Sequence, residues 1–503
     1  MSEPAFIARE LIPQRAAPDR TTGLPGFVRT RLLNSPTNVL LTLVCILLLW
    51  FSIVPTVKFL LIDAVWHGRD RNACLAENAG GVVGACWPFV RAKLTQFIYG
   101  FYPQPERWRV NLTFLLGGLL LLPLLIPKLP AKSLSAGLFF IAFPIVAFLL
   151  LYGGGIRGFG VAWGEAALSV LAKGLVDSGY KLAEVTTLPL LSSIAYGLGT
   201  LIAWIGYALA IVLWPLTLLK KYTQASGQPV WADFFATALI VSAILFGLTG
   251  GFRNGWRALI ASLTTFAGMA MVIAILRLDR GGLPIVDTRL WGGLLVTLVV
   301  AVTGIVSSMP VGIALALGRR STIPLIRVFC VAFIEFWRGV PLITVLFFAT
   351  YMLPLFLPGS FTVDGLVRVL IGIALFAGAY NAEVIRGGLA AIPRGQVEAA
   401  SALGLPYWKT TGLVVMPQAL RHVIPGLVNS FIGLLKDTSL VSIVALFDLL
   451  GQLRASFADP VWSTPTTLFT GFAFTGIIYF VLCFGMSRYS LFVEHRLNAH
   501  RRS

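Results

Sequence analysis

Charged residues are scarce in this 503-residue sequence: only 12% are Asp, Glu, Lys or Arg, whereas 57% are hydrophobic. Soluble domains carry about 25% charged residues, so the composition excludes a soluble globular protein and indicates a chain that crosses a membrane several times. The apolar runs are too long and unbroken for barrel strands, and a span must satisfy its own backbone hydrogen bonds. We therefore expect an all-α, polytopic membrane protein.

Motifs for nucleotide binding and catalysis are also missing. The glycine runs at 153–155 and 250–251 have neither the Lys nor the preceding strand of a G-x-x-x-x-G-K-[ST] loop. The sequence has only four histidines and no H-E-x-x-H run, nucleophile elbow or metal-ligand spacing. We expect no catalytic residue, no metal and no cofactor in this chain, so any energy that its function needs must come from another chain or from an ion gradient.

Cysteine is rare as well, with five residues in the chain. Cys45, Cys330 and Cys483 lie in apolar runs, where a thiol behaves as a small buried hydrophobe. Cys74 and Cys86 lie together in a polar loop, and a disulfide is expected between them if this loop faces the outside of the membrane.

The net charge of +18 comes from Lys and Arg at the ends of apolar runs. This is the positive-inside pattern of a cytoplasmic membrane protein and not a nucleic-acid signal. Arg29 and Arg31 before the first span predict an inside N-terminus, and Arg488 and Arg496 after the last span predict an inside C-terminus. The first residues lack an apolar stretch followed by a small-residue cleavage site, so we expect no cleaved signal peptide.

A polar stretch of helical character, from Arg394 to Leu440, interrupts the apolar runs of the second half. Within it, Glu-Ala-Ala (398–400), Gly404, Val414 and Met-Pro (416–417) follow the spacing of the coupling loop of ABC importer permeases, with Val and Met in place of Ile and Leu. The segment resembles the polar amino acid permease family. This resemblance implies a type I ABC importer transmembrane core of five helices, preceded here by extra N-terminal transmembrane helices.

The N-terminal segments CWPFVRAK and GFYPQPERWRVNL are similar to the M-type permease of general L-amino acid importers and to its glutamate/glutamine/aspartate/asparagine relatives. Residues 161–282 do not follow that pattern and are interpreted as an insertion. The expected segments are a cytoplasmic tail (1–35), an N-terminal transmembrane region (36–160) with a periplasmic loop (62–109), an inserted transmembrane or interfacial region (161–282), the permease core (283–490) with the coupling loop (387–425), and a cytoplasmic tail (491–503).

The number of crossings in the insertion is left open by its pattern. Three apolar runs are present, at 188–219, 234–249 and 256–276, but the core must start outside if the coupling loop is inside. The insertion therefore crosses an even number of times. Either the weak segment 166–182 also crosses, or one of the three runs lies in the membrane interface.

Charges within apolar spans cost about 2.5–3.5 kcal/mol each on insertion scales, which makes such residues candidates for function. Lys436 and Asp437, followed by Thr438 and Ser439, interrupt the fourth predicted core span, and the family carries a similar K-x-T-S-L segment. The pattern predicts a broken helix on the substrate path. The alternative is a structural ion pair or a hydrogen-bonded kink between packed helices.

A second set of candidates comes from the segments EFWRGVPLIT and AYNAEVIRGG, the first of which resembles the family's F-R-G-T-P-L. We expect Arg338 either to bind a substrate carboxylate or to pair with Glu335 or Glu383. Glu383 and Arg386 share a helix face, so Glu383 is expected to contact the α-amino group, with Asn381 orienting it. The alternative is that these charges cap helix ends or meet the ATPase.

The coupling segment supplies the candidates for partner contact. The resemblance implies that Glu398 holds a short helix in a groove of the ATPase, that Ala399, Ala400 and Gly404 allow close approach, and that Arg394 flanks the contact. Pro417 bounds the segment.

The resemblance thus implies a non-catalytic permease subunit that moves polar or general L-amino acids across the bacterial inner membrane by alternating access. Its implied partners are an ATPase dimer that uses ATP and Mg²⁺, a second permease subunit in a heterodimer, and a periplasmic amino-acid-binding protein. A self-contained, ion-coupled secondary amino acid transporter is the alternative, although the Glu-Ala-Ala segment would then have no purpose.

Overall fold

The protein is described from a computed structural model of the chain, which describes residues 26–75, 77, 81–126, 129–130, 132–184, 189–248, 252–356 and 363–498. Within these residues the only β-structure is a set of isolated bridges, and ten helices are long and apolar enough to cross a membrane. A bent helix pair adds an eleventh span if it counts as one crossing. The prediction of an all-α, polytopic membrane protein is confirmed. The predicted tails lie partly outside the described residues, at 1–25 and 499–503.

The N-terminal region contains one long span, a helix within the predicted periplasmic loop (62–109), and two further spans. Its helices are α1 (Pro36–Val57), α2 (Trp87–Tyr99), α3 (Arg107–Leu125), α4 (Lys132–Gly137) and α5 (Phe143–Tyr152). A π-helical turn at Lys58–Ile62 extends α1, and another at Leu138–Ala142 joins α4 to α5 into one span. Short 3-10 turns at Arg71–Cys74 and Gln104–Glu106 lie in the connections.

The predicted insertion forms five helices rather than three runs. They are α6 (Gly160–Glu184), α7 (Pro189–Val212), α8 (Trp214–Gln224), α9 (Pro229–Leu248) and α10 (Phe252–Ile275). The run expected at 188–219 is divided, because α7 ends at Val212 and Pro215 lies in the first turn of α8. A span therefore does not continue to Leu219.

Helix α6 contains residues 166–182, the weak segment that the sequence analysis considered as an additional crossing. It packs closely against α7: a Cβ on Gly179 would overlap the backbone near Ala203, and one on Gly206 would overlap α6 at Val176. Charged residues along α6 keep it below the apolarity of a candidate span, and one of them, Glu165, pairs with Lys220 of α8 at 2.5 Å. At 25 residues the helix is roughly 37 Å long, enough to cross a hydrocarbon core of about 30 Å.

The core consists of long helices, one bent pair and several short helices. They are α11 (Leu294–Arg319), α12 (Pro324–Gly339), α13 (Leu342–Phe347), α14 (Leu353–Phe356), α15 (Gly365–Ala390), α16 (Arg394–Ala402), α17 (Tyr407–Lys409), α18 (Met416–Asp437), α19 (Leu449–Ser456) and α20 (Pro465–Asn498). The chain bends by 103° between α12 and the α13–α14 segment, which a π-helical turn at Phe348–Met352 makes continuous.

The fourth core span, in which the sequence analysis placed Lys436 and Asp437, contains α18. A π-helical turn at Thr410–Val415 precedes α18, and Pro425 is accommodated inside the helix. The α-helix stops at Asp437 and continues as a 3-10 helix over Thr438–Val444, after which Ala445 has a left-handed backbone (φ 63°).

The chain divides into two compact units, and each is described by itself. In the first unit, residues 1–95 and 453–484, a disulfide joins Cys74 to Cys86 with a Cα–Cα distance of 5.7 Å. The backbone N–H of Cys86 donates to Thr470 Oγ1 at 2.9 Å, and the Phe89 ring stacks on Phe457. These contacts fix the loop around the disulfide within its own unit.

The second unit, residues 96–452 and 485–503, contains α11, α15 and α18 packed through small residues. A Cβ on Gly312 of α11 would overlap Asn381 of α15, and one on Gly388 of α15 would overlap Val423 of α18. Small residues at these points let the backbones approach closely, as at other membrane helix interfaces.

An arginine links the N-terminal helices of this unit to the segment before α11. The Arg109 side chain is fully buried, donates from Nη1 and Nη2 to the Pro284 carbonyl at 3.0 and 3.1 Å, and pairs with Glu106 at 3.0 Å. Beside it, the Tyr102 hydroxyl donates to the Leu151 carbonyl at 2.8 Å, and burial raises the pKa of Tyr102 to about 12. The phenol therefore stays a neutral donor at any physiological pH.

Candidate translocation site and coupling surface

A cavity of about 260 Å³ lies between α15 and α18. Its walls combine aromatic rings with a few polar groups, the composition of many small-molecule sites. The lining side chains that carry the argument are Phe376, Tyr380, Asn381, Ser430, Phe431 and Asp437.

The anionic group of this cavity is Asp437, the last residue of α18. Its side chain is half-buried, while Lys436 beside it is exposed. Thr438 is fully buried and its Oγ1 donates to the Leu435 carbonyl at 2.8 Å, which satisfies an acceptor of the ending helix. Ser439 is half-buried and its carbonyl accepts from Ser442 Oγ at 2.9 Å. The α-helix therefore ends beside the cavity and carries a carboxylate there.

Asn381 is another polar residue of the cavity lining, and one of its side-chain atoms lacks a hydrogen-bond partner among the described residues. It is 1% exposed, and its Nδ2 donates to Ser308 Oγ on α11 at 2.9 Å. Its Oδ1 is buried and has no hydrogen-bond partner among the described residues. A buried acceptor without a donor costs about 1–3 kcal/mol, so this atom is expected to receive a ligand donor or a water.

Arg338 contacts Tyr380, and Tyr380 lines the cavity. The Arg338 Cζ is 5.8 Å from the centroid of the Tyr380 ring, and the Tyr380 hydroxyl donates to the Arg338 carbonyl at 3.4 Å. The Arg338 side chain is exposed. The structure thus brings together three residues singled out in the sequence (Arg338, Asn381 and Asp437) around one aromatic side chain.

Glu383 and Arg386 belong to a different cluster. Glu383 Oε1 accepts from Arg319 Nη1, and Glu383 Oε2 accepts from Arg386 Nε at 3.0 Å and Nη2 at 2.9 Å. Arg319 also contacts Glu335 at 3.3 Å. The two carboxylates named as possible partners of Arg338 thus both contact Arg319, the last residue of α11, which the sequence analysis did not single out. Arg319 follows the apolar run of α11, and a charge in that position does not indicate its partner.

The coupling segment forms an exposed surface that begins with α16. Arg394 is the first residue of α16, Glu398 and Ala399 are exposed, and Ala400 faces inward with 3% exposure. Pro417 is the second residue of α18, which directly follows a π-helical turn at Thr410–Val415.

Gly404 terminates α16 in a Schellman motif. Its backbone is left-handed (φ 73°), its N–H donates to the Ser401 carbonyl at 2.9 Å, and the Leu405 N–H donates to the Ala400 carbonyl at 3.1 Å. No atom lies within 4 Å of where a Cβ on Gly404 would be. Glycine is therefore needed here for the turn rather than for close packing within the chain.

Apolar side chains that the sequence analysis did not single out extend this surface. Leu403, Trp408 and Leu413 are 70–80% exposed, and Tyr407 packs against Trp408 with 5.2 Å between the ring centroids. The signal was present as a run of large apolar residues around Gly404 in an otherwise polar loop. Clusters of this kind on a polar surface mark protein contacts.

The comparisons with known proteins agree with this architecture. Residues 308–499 match the family described as "Binding-protein-dependent transport system inner membrane component". The chain is 35% identical over 489 residues to the inner membrane amino-acid ABC transporter permease protein YhdY of Escherichia coli, with 97% of each chain covered. It is 37% identical over 507 residues to the glutamate/glutamine/aspartate/asparagine transport system permease protein BztC of Rhodobacter capsulatus, with each chain fully covered.

A crystal structure of an amino acid ABC transporter with histidines is 29% identical to 41% of this chain, covers 92% of its own chain and has a TM-score of 0.36. The family match and the two full-length relatives show that the chain is a membrane permease subunit. It belongs to the family of amino-acid ABC transporter permeases. This membership does not favour the self-contained, ion-coupled transporter.

Proposed function

We propose that this chain is the permease subunit of an importer for polar or general L-amino acids, and that the cavity between α15 and α18 is its substrate site. The observation that carries this proposal is that one cavity of about 260 Å³ is lined both by the half-buried Asp437 and by Asn381, whose buried Oδ1 has no hydrogen-bond partner among the described residues. The relatives named above are described as amino-acid permeases, which supports the same substrate class.

The polar groups suit a zwitterion. An α-ammonium group has three N–H donors, and Asp437 with Asn381 Oδ1 supplies an anionic and a neutral acceptor. Arg338, whose Cζ lies 5.8 Å from the centroid of the Tyr380 ring, supplies a planar cation for the α-carboxylate. This assignment gives the ammonium contact to Asp437 in place of Glu383, because Glu383 already accepts from two arginines.

The aromatic rings Phe376 and Phe431 complete the cavity walls. They limit the room for the side chain of the substrate and exclude water from the charged contacts, which strengthens them. We therefore expect short polar side chains to be accepted and large aromatic ones to be rejected.

The second element of the proposal is the partner assembly. Glu398 and Ala399 on α16, with the exposed Leu403 and Trp408, form a surface that suits a groove of an ATPase subunit. We propose that ATP and Mg²⁺ bind to a separate ATPase dimer, that a second permease forms a heterodimer with this chain, and that a periplasmic binding protein delivers the amino acid. Both termini of the chain then lie on the cytoplasmic side of the inner membrane.

Alternating access follows from these positions. ATP binding closes the ATPase dimer and displaces α16, and the core helices respond by opening the cavity toward the binding protein. Hydrolysis reverses the motion and exposes the cavity to the cytoplasm.

Uptake by the assembled complex in proteoliposomes tests the site. We expect Asp437→Asn to raise the KM for the transported amino acid by about 10- to 100-fold, because it removes the charge from a hydrogen bond to the ammonium group. Basal ATP hydrolysis should be unchanged, since Asp437 lines the cavity and is not part of α16.

Lys436→Gln is the matched control, because Lys436 is the adjacent charge but is exposed and does not line the cavity. Wild-type KM values for both variants would overturn the assignment of this cavity. A loss of ATP hydrolysis in Asp437→Asn, with unchanged KM, would instead place Asp437 in the coupling of the complex.

A further inference from the structure

A second and larger cavity, of about 960 Å³, lies where α5, α6 and the end of α10 meet. Its walls are mostly apolar, with α5 contributing Ile145, Phe148 and Tyr152 and α6 contributing Trp163. Phe148 is 52% exposed and Trp163 is 44% exposed, so the cavity opens to the outside of the protein. Nothing in the amino-acid transport mechanism described above uses it.

The cavity lies at the depth of the lipid headgroups. The span Leu134–Tyr152 ends at its wall, and the span Gly255–Ile275 ends three residues before Leu278, which also lines it. Tyr and Trp side chains concentrate at this level of a membrane, because their rings are apolar and their polar atoms reach water. Tyr152 and Trp163 therefore stand at the boundary, while Ile145 and Phe148 lie further along α5 toward the hydrocarbon.

The polar rim of the cavity contains Arg157, which lines the cavity and is exposed. Asp279 is the acidic residue of this rim, and its Oδ2 accepts from Trp231 Nε1 at 2.8 Å and lies 3.9 Å from Arg280. The Asp279 carboxylate therefore has partners already, which leaves Arg157 as the cation of the lining.

The backbone around the cavity is held in place before any ligand binds. Asp233 of α9 accepts hydrogen bonds from the N–H groups of Phe159, Val161 and Ala162, which fixes the start of α6. The Gly154 N–H donates to the Leu283 carbonyl at 2.6 Å, and its left-handed backbone (φ 79°) turns the chain between α5 and α6. A preformed cavity binds a ligand without the cost of ordering its walls.

We propose that this cavity binds one phospholipid with an anionic headgroup. An acyl chain lies along Ile145 and Phe148, the glycerol region lies at Tyr152 and Trp163, and the phosphate lies at Arg157. The apolar walls argue against a polar amino acid, and the location at the ends of two spans argues against a soluble anion. Basic pockets between membrane helices bind acidic lipid headgroups by the same chemistry.

The test is native mass spectrometry of the full-length chain, purified with its co-expressed partner subunits and stripped of lipid by detergent exchange. Phosphatidylglycerol and phosphatidylcholine with identical acyl chains are added back in a concentration series. We expect one phosphatidylglycerol per chain to bind at a several-fold lower concentration than phosphatidylcholine.

Two variants separate the headgroup from the acyl chain. Arg157→Gln should weaken phosphatidylglycerol binding by about fivefold and leave phosphatidylcholine unchanged, since one arginine near a membrane surface contributes about that factor. Phe148→Gln should weaken both lipids, because it places a polar amide against the acyl chain. The matched controls are Arg289→Gln, an exposed arginine that does not line the cavity, and Ile141→Gln, an exposed apolar residue of the same span.

Three results would overturn the proposal. The first is equal binding of the two lipids with no effect of Arg157→Gln. The second is displacement of phosphatidylglycerol by millimolar inorganic phosphate, which would indicate a site for free anions. The third is displacement by a transported amino acid, which would assign the cavity to substrate. Thermal unfolding of each variant, compared with wild type, excludes loss of fold as the cause of weaker binding.

Discussion

Arg319 and Glu383 form an ion pair that joins the end of α11 to α15. The same guanidinium contacts Glu335 on α12 at 3.3 Å, and Glu383 also accepts from Arg386 at 2.9 Å. Glu383 is the more enclosed of the two carboxylates, with 17% of its side chain exposed against 54% for Glu335. One arginine therefore connects three core helices, and Glu383 is the central anion of the cluster.

Replacing Glu383 should destabilise the core more than replacing Glu335. Glu383→Gln leaves Arg319 and Arg386 facing a neutral amide, and we expect a loss of about 1–3 kcal/mol in the free energy of unfolding. Glu335→Gln removes an exposed pair and should cost less than about 1 kcal/mol. Thermal unfolding in detergent measures both. Equal shifts in the two variants would contradict the central role of Glu383. A raised KM in Glu383→Gln with a normal unfolding temperature would return it to the substrate path.

Gly404 should tolerate Asn far better than Val. Its left-handed φ costs a β-branched residue about 1–2 kcal/mol, whereas Asn adopts this conformation readily. Because the surrounding space is open, the strain lies in the turn that ends α16 and not in a clash. In proteoliposomes containing the assembled complex, we expect Gly404→Val to lower the amino acid taken up per ATP hydrolysed. Gly404→Asn should stay near the wild-type ratio, and a similar loss in both variants would show that the glycine is needed for close approach of a partner.

Asp233 should be among the most sensitive positions of the inserted helices. It is 1% exposed and accepts from three backbone N–H groups at the start of α6, where the helix dipole also favours a negative charge. Asp233→Ala leaves the Phe159 and Ala162 N–H groups unpaired, while the Val161 N–H keeps its bond to Thr237 Oγ1 at 3.0 Å. We expect a loss of about 2 kcal/mol. Asp233→Asn keeps one acceptor oxygen and should fall between Ala and wild type. The exposed Asp177 of α6 serves as the control, because Asp177→Ala should change the unfolding temperature little.

The stability of the first unit is expected to depend on pH. Lys93 Nζ lies 2.5 Å from Asp459 Oδ2, and this hydrogen bond, with a second from the Val461 N–H, lowers the pKa of Asp459. A carboxylate whose folded pKa is depressed contributes stability above its unfolded value of about 3.9, and this contribution is lost as the pH falls through the folded pKa. Both side chains are partly exposed, so its size should stay below about 1 kcal/mol.

The measurement is thermal unfolding of wild type and Asp459→Asn between pH 7 and pH 3. The difference between the two proteins should be present at pH 7 and shrink toward pH 3. Lys93→Gln should weaken this pH dependence, since it removes the strongest cause of the shift. A difference that is constant over the whole pH range would mean that the ion pair does not set the pKa of Asp459.

Local patterns in the sequence were enough to predict an all-α chain with several membrane spans and a helical coupling segment. Long apolar runs identify spans because lipid imposes the same demand on every turn. The change from α-helix to 3-10 helix after Asp437 follows two charges and two hydroxyls in succession, which disfavour a lipid-facing α-helix. The expected segment boundaries along the chain stay a prediction.

Partner choice between distant residues was not readable. Arg338 was expected either to bind a substrate carboxylate or to pair with Glu335 or Glu383. Both of these carboxylates contact Arg319, and only the packing of α11 on α15 brings that arginine to Glu383. Arg109 and Asp233 likewise bond to backbone groups more than 70 residues away, which carry no sequence signature. The place of Pro425 inside α18 could not be read from the sequence either, since a proline inside a membrane helix is tolerated where neighbouring helices support it.

The helical stretch from Tyr407 to Val444 runs for 38 residues, or roughly 57 Å, while the hydrocarbon core of a bilayer is about 30 Å thick. The stretch therefore extends beyond the hydrocarbon core, and the helical rise from Tyr407, three residues after Gly404, to Asp437 is about 45 Å. Because helical structure continues between these two residues, we expect a displacement at the Tyr407 end to reach the Asp437 carboxylate without a loop that absorbs it.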